Sequence, residues 1–385
     1  HILFVTGEYP PQTGGVGAYT AELAAALAAR GWHVSVLTGA NAPQAQRKPD
    51  AVTVYPLIRR WGWRIWGQAA RLAQEIGASW VHVQYQTAAF GMNPAIHFAP
   101  GPWQRRGLLV AWTYHDLLVP YLFPKAGERL RRWVTDRPAR VCDLTLVTNE
   151  GDRRHLAGQA RRLACIPIGS NIRARVFSPE ERAALRARRG FGPDDLVVGY
   201  FGFLNRSKGG LTLVETLARL TPTLPRVRLL MIGERVGASD PTNDAYLQEV
   251  EAAIAAHRLQ DRVIWTGRQE DTEVSASLAA CDVLLMPYVD GASLRRGTLM
   301  AGLAHGCAIV TTTPQAPLPE LVEGRDLLYV PPGDPAAAAA AVLRIASDPV
   351  LAETLRRHAR IASAAFSWET IAEAHERLYL ANDLR

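Results

Sequence analysis

The feature that most constrains this chain is a pattern that runs its course and then starts again. Short apolar runs are separated by stretches long enough for a helix: ILFVT at Ile2, the run His33 to Thr38, VTVY at Val52, WVHV at Trp80, LLVAW at Leu108, LTLV at Leu144 and LACIPI at Leu163. Strands alternating with helices give a parallel sheet, because parallel neighbours need a long crossover and a helix supplies it. A polar stretch follows, 172–195, with Pro179, Gly190 and Pro193. A second series then begins: LVVGYFGF at Leu196, RLLMIG at Arg228, RVIWTG at Arg262, DVLLMP at Asp282, AIVTT at Ala308 and LLYV at Leu327. The prediction is an α/β chain of two Rossmann-like domains with parallel, doubly wound sheets. A length of 385 residues suits two domains at roughly 100–200 residues each. The boundaries read as a first domain over 1–171, a linker over 172–195 around a short helix, and a second domain over 196–367. Ser367 is placed to N-cap a last helix, 368–385, whose stripe is Trp368, Ile371, His375 and Leu378.

Composition removes several classes. Hydrophobic residues at 48% and charged residues at 21% describe a globular chain. No apolar run reaches the roughly 20 residues of a spanning helix. Four scattered cysteines, Cys142, Cys165, Cys281 and Cys307, form no CxxC pair and no Cys/His cluster, which points to buried thiols and a cytoplasmic setting. The net charge of +7 is uneven: residues 1–171 carry +9 and the remainder −2, and eight of the 10 tryptophans lie in that first stretch. Two halves of such different character are expected to meet different partners. Only Lys48, Lys125 and Lys208 are lysines among 43 basic residues, so a lysine in a conspicuous loop stands out.

Gly14-Gly15-Val16-Gly17 precedes the first helix, and a helix N-terminus behind glycines favours an anionic group. It is not a dinucleotide fingerprint: GxGxxG from Gly15 would need glycine at Thr20, and no ribose-binding acid follows Val36-Leu37-Thr38. A dehydrogenase is therefore disfavoured. A Walker A loop is absent from the sequence.

Several segments, in order along nearly the whole chain, resemble the "group 1" family of retaining glycosyltransferases with the GT-B fold. They are EYPPQTGGVGAYTAELAAALAARGWHVSVLT, WTYHDL at Trp112, IPIGSNI at Ile166, GFLNRSKGG at Gly202, CDVLLMPY at Cys281, LPELVEG at Leu318, VPPGDP at Val330 and FSWETIA at Phe366. The resemblance implies two Rossmann-like domains facing each other across a cleft. It gives the acceptor to the first and a nucleotide-sugar to the second, with the last helix returning to the first domain.

The resemblance also implies roles. His115, after the strand that ends at Trp112-Thr113-Tyr114, matches a histidine that contacts the donor sugar; its imidazole can donate to a sugar hydroxyl, and the alternative is a structural pair with Asp116. Lys208 matches a lysine that meets the donor diphosphate. The family's arginine position is Phe203 here, so Arg206 is expected to serve beside Lys208. Gly15, Gly233 beside Glu234, Asp290, Ser293, Arg296 and Glu320 are the donor-side candidates, and Tyr85 and Gln86 those on the acceptor side. Two glutamates of the family fall on Ser293 and Ala301, and Asp290 is the nearest replacement for the first. No Asp-x-Asp occurs, so neither a metal clamp nor a cofactor is expected beyond the nucleotide-sugar itself. His82 and His97 read as core or rim residues.

Arg59-Arg60-Trp61-Gly62-Trp63-Arg64-Ile65-Trp66 interleaves cations with aromatics, as a segment at an anionic membrane surface does; the bland alternative packs the tryptophans inward. The expected function is retaining sugar transfer to a glycan, lipid-linked or small-molecule acceptor, in polysaccharide or glycoconjugate synthesis, with no nucleic acid involved. Two alternatives stay open: a non-catalytic nucleotide-sugar binder of the same fold, and a sugar-nucleotide epimerase.

Overall fold

The computed structural model describes residues 1–12, 14–40, 52–117, 119, 126–235 and 242–381. It divides into two compact units, His1–Asn171 with Ser367–Arg385, and Ile172–Phe366.

The first unit holds a sheet of seven strands: β1 (Ile2–Thr6), β2 (Val34–Gly39), β3 (Thr53–Ile58), β4 (Trp80–Tyr85), β5 (Leu109–Tyr114), β6 (Leu144–Val147) and β7 (Leu163–Cys165). Their order is β3-β2-β1-β4-β5-β6-β7, every pairing parallel. β1 and β4 are buried along their whole length, which is why they read as unbroken apolar runs with few polar interruptions. The two polar interruptions in β4, His82 and Gln84, are both buried and share one face.

The last helix, Trp368–Leu380, belongs to this unit. Ser367 Oγ accepts from the Thr370 amide as its N-cap. The Trp368 indole donates to the Ser170 carbonyl at 2.6 Å, and Glu376 takes Trp32 and Arg30. Residues 382–385 of the expected helix lie outside the described residues.

The second unit holds six parallel strands: β8 (Leu196–Phe201), β9 (Val227–Ile232), β10 (Val263–Trp265), β11 (Val283–Met286), β12 (Ile309–Thr312) and β13 (Leu328–Val330). The order β10-β9-β8-β11-β12-β13 makes β8 and β11 neighbours although the chain has crossed from one side of the sheet to the other between them. That is the switch point of a doubly wound sheet, where ligands bind beyond the carboxyl ends of the strands.

The stretch 172–195 is part of this unit, not a free linker. Its helix, Pro179–Arg188, starts with a capping box between Ser178 and Glu181. Arg182 and Arg186 both bond the carboxylate of Asp282, at 2.6 and 2.9 Å, and Arg186 is only 6% exposed. Burial works against the Asp282 charge, yet the Val197 amide and the two arginines hold its carboxyl below the usual range. All four cysteines are free thiols, and no single helix among the described residues is long and apolar enough to cross a membrane.

Candidate functional site

The second unit gathers cations at its switch point. After β8 the chain turns through Asn205, whose side chain accepts from the Lys208 amide and the Ser207 hydroxyl. Gly209, at φ +72°, lies against β11: a Cβ there would stand 1.9 Å from the Pro287 carbonyl oxygen, so only glycine fits. The Val289 amide donates to the Ser207 carbonyl at 2.8 Å, tying the loops after β8 and β11 together. This turns Lys208 inward over Gly202, beside Thr298 and the Phe203 ring. Burial, with Arg296 close by, lowers the Lys208 ammonium to about 8. No carboxylate pairs with it among the described residues.

Arg296, the cation acting on Lys208, immediately precedes the helix Gly297–Ala304. Asp290 grips its guanidinium with both oxygens, and the plane lies over the Tyr288 ring at 4.8 Å. The Tyr288 hydroxyl meets Thr298 Oγ1 at 2.7 Å, and Arg296 Nε is buried with no partner among the described residues. One guanidinium and one ammonium therefore stand near each other at a helix N-terminus, and the single carboxylate of Asp290 leaves a positive excess.

The other residues picked from sequence divide. Gly233 follows β9 beside Gly202, its amide donating to Thr266 Oγ1. Ser293 is half-buried and accepts from the Arg295 amide. Arg206 does not join Lys208: the one turn between Arg206 and Lys208 sends it outward, where it pairs with Glu249 and covers Tyr246. Asp290 is spent on Arg296 and does not stand free for a sugar. Glu320 is exposed in the turn after β12, with no bond to this cluster among the described residues.

In the first unit His115 follows β5, its amide donating to the Tyr85 carbonyl. Its Nε2 meets Gln84 Oε1 at 2.9 Å and its ring meets the Tyr19 ring edge-on at 4.6 Å. Burial, then the neighbouring His375, pushes its imidazole down to about 3, so it is neutral at ordinary pH. Tyr85 cannot touch an acceptor. It is fully buried, and its hydroxyl is shared by His97 at 2.8 Å and Thr87 at 3.0 Å. Gln86, one residue on, is half-buried. His82 and His97 are core residues, as their positions suggested. Gly15 opens the helix Gly15–Ala29, but the Val16 and Gly17 amides donate to Glu8 Oε1, both at 3.0 Å. The anion at that N-terminus is the chain's own carboxylate. Of the tryptophans in 59–66, Trp61 packs on Phe90 and Trp66 donates to the Ala95 carbonyl, while Trp63 is 57% exposed.

Comparison with known families assigns both units. Residues 195–348 match the model described as "Glycosyl transferases group 1", and residues 13–173 match "Glycosyltransferase Family 4". The chain belongs to the group 1 glycosyltransferases. A relative is the 2-deoxystreptamine glucosyltransferase of Streptomyces kanamyceticus, 29% identical over 58% of this chain and 56% of its own. Another is the D-inositol 3-phosphate glycosyltransferase of Streptomyces avermitilis, 26% identical over 59% and 48%. The chain thus spans about half the length of these two relatives. The fold is GT-B: sucrose-phosphate synthase from Thermosynechococcus elongatus superposes with a TM-score of 0.76 at 23% identity over 100% of this chain and 99% of its own. Anabaena HepE, in complex with UDP and glucose, superposes with a TM-score of 0.75 at 17% identity over 99% of each chain.

Within this group 1 chain, reasoning from sequence missed Gln84, Glu8 and the pairing of Arg296 with Lys208. Gln84 carried a signal, since two polar residues at i and i+2 inside an otherwise apolar strand share a face. Glu8 carried none, because nothing local marks a carboxylate as the cap of a helix that begins beyond the next loop.

Proposed function

We propose that this chain transfers a sugar from a nucleotide-diphosphate-sugar to an acceptor hydroxyl, with retention of configuration and with side-chain cations in place of a metal. One observation carries the reading: Lys208 and Arg296 converge at the switch point of the second sheet with an unbalanced positive charge. A diphosphate supplies the missing anion. As the sugar–oxygen bond breaks, charge grows on that diphosphate, and preorganised cations stabilise it without reorganising. His115 would touch the transferred sugar. The retaining course rests on the family resemblance. The test is incubation with a panel of nucleotide-sugars, UDP-glucose first, following nucleotide release and the anomeric configuration of product. Release that a Lys208→Ala/Arg296→Ala double variant does not diminish would overturn the donor placement.

For the acceptor side, the first unit's surface supports a reading. Trp63, Phe98 and Trp133 form a row, with ring centroids 5.8 and 6.3 Å apart, and Arg137 lies over Phe98 at 4.8 Å. Trp133 and Leu130 are 47% and 55% exposed on the helix Glu128–Val141, which also carries Arg129 and Arg132. Exposed aromatics among arginines suit an acceptor held at an anionic lipid surface.

A further inference from the structure

Four residues on one face of β4 and of β5 with its extension, His115 among them, form a hydrogen-bonded set. In register, Gln84 of β4 stands opposite Thr113 of β5. His82 precedes Gln84 by two residues and His115 follows Thr113 by two, so all four side chains lie on the same side of the sheet. The contacts are His115 Nε2 to Gln84 Oε1 at 2.9 Å and Gln84 Nε2 to His82 Nε2 at 3.4 Å. His82 Nε2 also meets Thr113 Oγ1 at 2.7 Å, and His82 Nδ1 meets the Tyr379 hydroxyl at 2.6 Å.

Donor and acceptor roles in this set follow from the orientation of the Gln84 carboxamide, whose Nε2 faces His82 and whose Oε1 faces His115. A neutral imidazole has one N–H and one lone pair, and a carboxamide has one donating and one accepting end. Gln84 Nε2 can only donate, so His82 Nε2 accepts from it, and the Thr113 hydroxyl donates to the same nitrogen. His82 Nε2 is then unprotonated, and its Nδ1–H donates to the Tyr379 oxygen. With its NH2 end on His82, Gln84 has its carbonyl oxygen left for His115. That oxygen needs a proton from His115 Nε2. His115 Nδ1 consequently keeps its lone pair, and no described residue bonds it.

We propose that Gln84 is a positioning residue that locks His115 as the Nε2–H tautomer, so that Nδ1 accepts a hydrogen bond from a hydroxyl of the transferred sugar. This rests on the proposed function and reverses the direction expected of His115, an imidazole donating to the sugar. The sugar must then bring an O–H to that position. The network continues to Tyr379 on the last helix, so the chain's final element holds the far end of the set that orients His115.

The experiment uses the full chain with 15N-labelled histidine. Long-range proton–nitrogen correlation reads the protonated nitrogen of each ring, and His115 is assigned by its loss in His115→Asn. The expected result is a protonated Nε2 and a bare Nδ1 on His115, and the reverse on His82. Gln84→Met fills the same space without either polar end. It should leave His115 with both tautomers populated and lower kcat, up to about a hundredfold, with little change in donor KM. A wild-type His115 protonated on Nδ1 overturns the proposal, and that reading needs no variant to fold. So does a Gln84→Met protein whose His115 tautomer is unchanged. A tautomer that shifts while kcat holds leaves Gln84's hold on the ring standing and removes His115 from the sugar, which is a failure of the proposed function instead.

Discussion

The ammonium of Lys208 occupies the space that a side chain on Gly202 would need: a Cβ there would lie 2.9 Å from Nζ. Gly202 also sits at φ +113°, where L side chains are strained. Gly202→Ala should therefore displace Lys208 and reproduce, in part, the defect of Lys208→Ala. A charge-assisted hydrogen bond is worth about 1.5–3 kcal/mol, so Lys208→Ala should weaken donor affinity by about ten- to a hundredfold and lower turnover with it. Lys208→Arg should be impaired despite its charge, because a planar fork does not fit over Gly202. Arg206→Ala, at an exposed residue paired with Glu249, should leave both near wild type. Calorimetric titration of a nucleotide-sugar into each variant checks the order.

Donor affinity should fall at alkaline pH. Lys208 has its ammonium lowered to about 8, so in the free protein it is charged below that value and neutral above it. A diphosphate favours the charged form, so binding should be strongest below pH 8 and weaken through pH 8–9, with proton uptake on binding in that window. Titration in two buffers of different ionisation enthalpy measures the uptake. The Lys208→Ala protein should show a flat profile over the same range.

The row Trp63, Phe98, Trp133 makes a membrane prediction with an internal control. Flotation with anionic vesicles should recover the protein at low salt and lose it at high salt, since each basic residue near the leaflet contributes about 1 kcal/mol. Trp63→Ala/Trp133→Ala should float poorly. Trp61 packs on Phe90, and its replacement should cost stability and not vesicle binding. Equal flotation of the double variant and wild type would remove the lipid surface from the acceptor reading.

Four histidines of the first unit are held neutral: His82, His97 and His375 are buried, and His115 is half-buried. Burial pushes His97 and His375 to about 4, His115 to about 3, and His82 well below its ordinary value. In the unfolded chain each titrates near 6.5. Below that pH the unfolded state takes up protons that the folded state refuses. Their contribution to stability is therefore full above about pH 6.5 and drains as pH falls toward the folded values, by roughly 1.4 kcal/mol per pH unit for each. Urea unfolding between pH 7 and 5, followed by tryptophan fluorescence, should show this in the first unit, where nine of the 10 tryptophans lie. His375→Gln should flatten the slope.

The fold was legible in sequence because strands buried on both faces must be apolar throughout, and that leaves a mark at each one. Lys208 was legible as a lone lysine in a strand-end loop. Its neighbour was not: Arg206 is close in sequence but is carried outward by a single turn, while Arg296, picked only as a donor-side candidate, arrives from the loop after β11. Tyr85 was misread for the opposite reason. A strand end looks accessible, yet its ring stacks among Phe90, Trp112 and Tyr114. The polar stretch 172–195 looked like a linker because its anchor, Asp282, lies far along the chain.

That anchor yields the last prediction. Asp282 holds Arg182, Arg186 and the Val197 amide, and so ties the helix Pro179–Arg188 to the starts of β8 and β11. Removing one member of a buried pair leaves the other charge without a partner, which costs about 3–5 kcal/mol. Arg186, at 6% exposed, is the charge that would be stranded. Asp282→Ala should thus lower the second unit's melting temperature sharply. Arg186→Met/Asp282→Leu should recover most of the loss, because it removes the buried charge together with its partner. Cleavage by a protease in 172–195 should rise in Asp282→Ala and return toward wild type in the double variant. A single variant as stable as wild type would mean that the helix is held by its apolar contacts alone, and that 172–195 behaves as the linker its composition suggests.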